Sequence, residues 1–169
     1  MLKPLLMKKF LFFLPCLLLI SVSMYGQSIK FNDLAYFTSL TNRQVYDNLL
    51  QSNYFRQDFT ITENGQEIET FKSIGAKANA EKITTGHFVK LYDGTLLRTV
   101  TYTSTNPQDI LNMIGQAKRY GLELKFRGAD DLNNVYLFDN NFFHVSIFLR
   151  RDQTKGLVEI KQKEYLELE

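Results

Sequence analysis

The stretch from Asn106 to Gly121 constrains the fold of this chain more than any other. Asn106 is a good helix N-cap, and Pro107 fits the first helical position, where a missing N–H costs nothing. Asp109 suits the positive end of the helix dipole, and Lys118 and Arg119 suit the negative end. Gly121 can take the left-handed conformation that stops a helix. The spacing predicts one apolar stripe made of Ile110, Leu111, Ile114 and Ala117. This helix separates two runs of strand-like sequence, and another helical segment precedes the first run. The plan is an α+β fold of two tandem helix-then-antiparallel-strands units, 27–105 and 106–169, forming one compact domain. A single sheet face then carries the helices.

Within the first unit, Phe31 to Leu40 reads as a short helix, and Thr41 caps a second over 42–52, with Gln44 placed as in a capping box. From Tyr54 the period changes to alternation, which puts Phe55, Gln57, Phe59 and Ile61 on one face. Strands follow at 67–74, 83–92 and 95–103, the last two joined by the hairpin signal Asp93-Gly94. In the second unit Leu122, Leu124 and Phe126 repeat that alternation. Strands then fall at 135–138, 142–151 and 156–165. By pattern, Phe88 to Tyr92 matches His144 to Phe148.

The first 26 residues have the form of an export signal. Lys3, Lys8 and Lys9 precede an apolar run from Phe10 to Ile20, and Ser21, Ser23 and Gly26 are small residues suited to cleavage. That run is too short for a comfortable membrane span. Cleavage after Gly26 is preferred, and cleavage after Ser23 is its rival. Cys16, the only cysteine, falls inside the signal without the pattern that precedes a lipidated cysteine. The mature chain therefore has no thiol, which excludes disulfides, cysteine nucleophiles and thiolate metal sites. Removing three lysines from the 20 basic residues leaves 17 against 18 acidic ones, a net charge of −1. Interspersed and nearly balanced charge argues against a nucleic-acid or anionic-membrane partner.

Phe31-Asn-Asp-Leu34, followed by Thr41-Asn-Arg-Gln-Val-Tyr-Asp47, a run of strands and a second copy, resembles the beta-lactamase-inhibitor-protein architecture. It is also similar to the small outer-membrane assembly lipoproteins that contain half of that unit. Those families carry a Gly-Met-Thr turn where this chain has Ser39-Leu40-Thr41, and the inhibitor family carries disulfides that are absent here. The resemblance implies the tandem fold and a habit of binding proteins. It assigns no individual functional residue.

Recognisable catalytic chemistry is sparse. Alternation places His87 with Val89 and Leu91, as a core or edge histidine. Ser146 beside His144 would be a nucleophile and base, but no orienting acid is evident. Neither histidine has metal-ligand spacing, no glycine-rich phosphate loop occurs, and no cofactor is implied.

The face away from the helices is more informative. If Val89, Leu91, Val100, Tyr102, Val145, Ile147, Leu149, Val158 and Ile160 point to the core, their neighbours point away. The candidate partner-binding residues among these are Phe88, Lys90, Tyr92, Leu97, His144, Phe148, Arg150 and Leu157. This set is more apolar than a solvated face requires. Either it binds a partner, or a terminal segment or a second sheet covers it. The expectation is an exported, periplasmic or secreted, non-enzymatic protein that engages an envelope or secreted protein or another extracytoplasmic ligand. It would not insert stably in a membrane after signal cleavage. The alternatives are a small periplasmic hydrolase or isomerase using His144, and a structural envelope component.

Overall fold

The computed structural model describes residues 29–78 and 80–164, so the export signal expected over 1–26 lies outside the described residues. Helices α1 (Phe31–Phe37) and α2 (Asn42–Gln51) come first. They are followed by β1 (Phe55–Glu63), β2 (Gln66–Ser73), β3 (Glu81–Lys90) and β4 (Leu96–Ser104). Helix α3 (Pro107–Arg119) then leads into β5 (Glu123–Ala129), β6 (Asn133–Asp139), β7 (Phe143–Arg150) and β8 (Gly156–Gln162). The eight strands form one antiparallel sheet in the order β1-β2-β3-β4-β8-β7-β6-β5. Each helical segment is thus followed by a four-stranded meander. The two meanders join where β4 pairs with β8, Val100 opposite Ile160 and Tyr102 opposite Val158.

Local chemistry sets the helix ends. The Asn106 side chain accepts the Gln108 N–H at 3.2 Å, and Pro107 follows at the first helical position. At the other end Gly121 has φ +84°, while the Leu122 and Gly121 N–H groups return to the carbonyls of Ala117 and Lys118. These two bonds make a Schellman ending, with buried Leu122 against Ala117. Thr41 and Gln44 cap α2 reciprocally, the Thr41 N–H donating to Gln44 Oε1 at 3.0 Å.

All three helices close one side of the sheet. Phe31, Leu34, Val45, Leu49, Ile110, Met113 and Ala117 pack on Phe71, Ile83, Val100, Tyr102, Phe138, Val145, Ile147, Val158 and Ile160. Each large member of that core stabilises the fold by about 1.5–3 kcal/mol through burial. The buried stripe of α3 differs from the expected one. It consists of Asp109, Ile110, Met113 and Ala117, whereas Leu111 is 44 % exposed and Ile114 is half-buried. A polar anchor accompanies this rotation: the Ser104 hydroxyl donates to Asp109 Oδ2 at 2.8 Å, and Asn106 Nδ2 donates to Oδ1 at 3.1 Å. Burial raises the Asp109 carboxyl above its ordinary range, against the opposing pull of Ser104.

Three bulges break the expected alternation. In β1 the register shifts between Gln57 and Phe59, so Phe55 and Gln57 face the helices while Phe59 and Ile61 face away. In β5 a shift between Leu124 and Phe126 does the same. In β3 it falls between Thr85 and Phe88. One extra residue reverses every later side chain, which is why simple alternation fails beyond it. The bulged residues of the two edge strands, Asp58 and Lys125, form ion pairs with Lys72 and Glu123. Charge and local twist there oppose pairing with another strand. Among the described residues, no helix is long and apolar enough to cross a membrane.

Candidate functional site

The face turned away from the helices has a threonine centre and apolar flanks. Thr70, Thr84 and Thr101 lie in one row across β2, β3 and β4, with the Thr70 and Thr84 hydroxyls 3.1 Å apart. The apolar group is best developed over β5–β8. Val135, Phe148 and Leu157 stand side by side, and Phe126 pairs with Leu137 in the adjoining row. Gly128 extends this patch to the sheet edge. A Cβ at that position would lie 2.4 Å from the Phe126 ring, so the absence of a side chain lets the ring lie across the strand.

Phe148 and Leu157 floor a groove of about 480 Å³. Its rim carries Lys82, Arg150 and Lys155. Arg150 Nε lies 3.3 Å from Asp152 Oδ2. Hydrogen bonds from the Thr154 hydroxyl and N–H hold the Asp152 carboxyl below the ordinary carboxylate range. That carboxylate balances one cation and leaves the groove net positive. The chemistry suits an apolar side chain flanked by acidic groups.

The eight candidate residues do not form one site. Phe148, Arg150 and Leu157 share the groove. His144 is on the same face at the sheet's other end, opposite Lys161 and Asp139. Leu97 also faces away from the helices, paired with Val89, which is 61 % exposed instead of buried. Phe88 and Lys90 are corrections. Both lie beyond the β3 bulge, pair with Arg98 and Leu96, and point to the helix side. Tyr92 lies in the fully exposed turn between β3 and β4, on neither face.

His144 has an acidic neighbour that the sequence did not disclose. Its Nδ1 is 3.0 Å from Asp139 Oδ2, while Lys163 Nζ donates to Asp139 Oδ1 at 2.6 Å and to the Asn140 carbonyl at 2.8 Å. The Lys163 hydrogen bond, followed by that of His144, keeps the Asp139 carboxyl below its ordinary range despite partial desolvation. Among the described residues, no hydrogen bond links His144 to Ser146. His87 is exposed, with Nε2 3.4 Å from Glu63 Oε2. No group of three or more His, Cys, Asp or Glu side chains is gathered for a metal among the described residues.

Phe126, Val135, Leu137, Lys82 and Lys155 were missed by sequence reasoning. The usable signals were the alternation of Val135 with Leu137 and the glycine two residues after Phe126. Comparison with known protein families, curated proteins and solved structures returns no match to this chain.

Proposed function

We propose that this α+β protein is exported and non-enzymatic, and that it binds an acidic, apolar segment of an envelope or secreted protein on its helix-free sheet face. The supporting observation is the groove floored by Phe148 and Leu157 and rimmed by Lys82, Arg150 and Lys155. Aromatic anchors supply contact area with few rotatable bonds, and the cationic rim selects the charge of the partner. The export assignment rests on the lysines, apolar run and small residues of the first 26 positions.

The test pairs thermal unfolding with capture from envelope extract, using wild type, the double variant Phe126→Ser with Phe148→Ser, and Arg150→Gln. The partner captured by wild type should be retained at least about tenfold less by the double variant, because hot-spot truncations cost roughly 2 kcal/mol or more. Arg150→Gln should weaken capture and reduce its salt dependence. Unchanged capture by a folded double variant would remove the groove from the account. Loss of capture with His144→Ala alone would favour the histidine end of the sheet instead.

A further inference from the structure

The first half of the sheet buries a guanidinium with two nitrogens that have no hydrogen-bond partner among the described residues. Arg98 on β4 is 2 % exposed and faces the helix side. Its Nε and Nη1 make no hydrogen bond with any described residue. The guanidinium carbon lies 5.4 Å from the centre of the Phe88 ring, which engages its charge but none of its N–H groups. Glu69, buried on β2, attracts Arg98 through the interior, yet no ion pair or hydrogen bond joins them. Glu69 Oε1 instead accepts from Gln57 Nε2 at 3.3 Å. Buried N–H groups without acceptors are costly, and orphans of this kind call for a ligand or another explanation.

The β3 bulge opens the space where that ligand would sit. The β2–β3 ladder is confined to residues 70–72 against 82–84. Beyond it, side chains replace backbone pairing. Gln66 bonds both the N–H and the carbonyl of Phe88, at 2.9 and 2.8 Å, and the Thr85 hydroxyl bonds both backbone groups of Glu69. The resulting cleft has a volume of about 500 Å³ and is lined by Arg98, Phe88, Leu96, Lys90, Asn42 and Arg43, among others. Asn42 and Arg43 are the first two residues of the ten-residue helix α2, so the cleft also receives the positive end of a helix dipole. The Thr41 hydroxyl accepts the Gln44 N–H, and among the described residues the Asn42 and Arg43 amides have no acceptor. Asn42 Oδ1 is buried without a donor, while its Nδ2 is committed to the Glu67 carbonyl at 2.8 Å.

We propose that this cleft binds a carboxylate. One carboxylate matches the planar guanidinium of Arg98 together with the α2 amides. Phe88 and Leu96 accept the apolar body of the ligand, and Asn42 Oδ1 accepts a donor where the ligand has one. Those apolar walls favour an organic acid over inorganic phosphate, which would leave them without an apolar partner. The same chemistry is offered by a small free acid and by the C-terminus of a peptide. The cleft and the Phe148 groove lie on opposite faces, so the two proposals stand or fall separately.

The test is an NMR titration of the purified chain with butyrate, inorganic phosphate, and a short apolar peptide carrying either a free or an amidated C-terminus. Butyrate and the free-carboxylate peptide should shift the Arg98 Nε–H signal and the Asn42 and Arg43 amides. Phosphate and the amidated peptide should leave them in place. A peptide binding more than about tenfold tighter than butyrate identifies a protein C-terminus, and equal affinities identify a small acid. Arg98→Met should weaken binding at least about tenfold, as expected for a charged hydrogen-bonding partner. If that variant does not fold, Lys90→Gln at the exposed mouth should weaken binding several-fold with folding intact. The proposal is overturned if neither carboxylate moves these signals, or if phosphate or the amidated peptide moves them equally.

Discussion

β3 and β7 hold the third place in their meanders, yet they distribute side chains in opposite ways. β7 alternates without interruption. Val145, Ile147 and Leu149 enter the core, while His144, Ser146 and Phe148 face away. β3 begins similarly, with Ile83 and Thr85 inward, and then reverses so that Phe88 faces inward as well. The cores of the two halves differ accordingly. Beneath the helices, the buried side chains of β7 and β8 are all apolar, whereas β2, β3 and β4 also bury Glu69, Thr85 and Arg98. A regular meander leaves an apolar groove on its free face. A bulged one gives up some apolar core for a polar cleft on the helix side.

The largest expected effect tests the regular half. Ile147→Ala should destabilise the protein by about 2–5 kcal/mol, since a fully buried side chain is lost and its cavity closes only in part. Chemical denaturation measures this. A change below about 1 kcal/mol would mean that the second half does not hold the core as described.

A smaller effect probes the bulge. A Cβ on Gly86 would sit 2.9 Å from the Thr99 carbonyl oxygen, a backbone atom with little room to move. Gly86→Ala should therefore cost about 1–3 kcal/mol through overpacking. It should also perturb the Phe88 and Arg98 NMR signals while leaving those of β7 in place. A neutral substitution would show that the strand carries the reversal by some other means.

The smallest effect appears as a slope with pH. Burial, then repulsion from Glu67, raises the Glu69 carboxyl above its ordinary range, although Arg98 pulls the other way. Its contribution to stability is therefore complete below about pH 4.3, the unfolded value, and is lost as pH rises through the raised folded value. Relative to wild type, Glu69→Gln should gain stability as pH increases across that window. Asp139 in the second half has the reverse sign. Lys163 lowers its folded value, so it contributes above about pH 3.9 and loses that contribution as pH falls. Denaturation of Glu69→Gln and of Asp139→Asn over a pH series, each against wild type, should give slopes of opposite sign, and slopes of the same sign would erase the contrast.

Sequence alone determined the helix ends, the tandem order of elements and most of the second-half core. Asn106, Pro107 and Gly121 act through bonds to residues only a few positions away, and Thr41 with Gln44 does the same. Val145, Ile147, Val158 and Ile160 lie on uninterrupted strands, where a period of two is a sufficient guide. Only the tertiary structure decided the rotation of α3, the facing of Phe88 and Lys90, and the meeting of Asp139 with His144 and Lys163. Each depends on contact between distant elements or on one inserted strand residue, and neither leaves a periodic trace. Gly86 was the one local sign of the β3 reversal, and its meaning lies in the Thr99 carbonyl of the neighbouring strand. Arg98 shares the parity of Val100 and Tyr102 on β4, so alternation alone places it inward. The β3 bulge brings Phe88 opposite it, and only the tertiary structure shows that its Nε and Nη1 have no hydrogen-bond partner among the described residues.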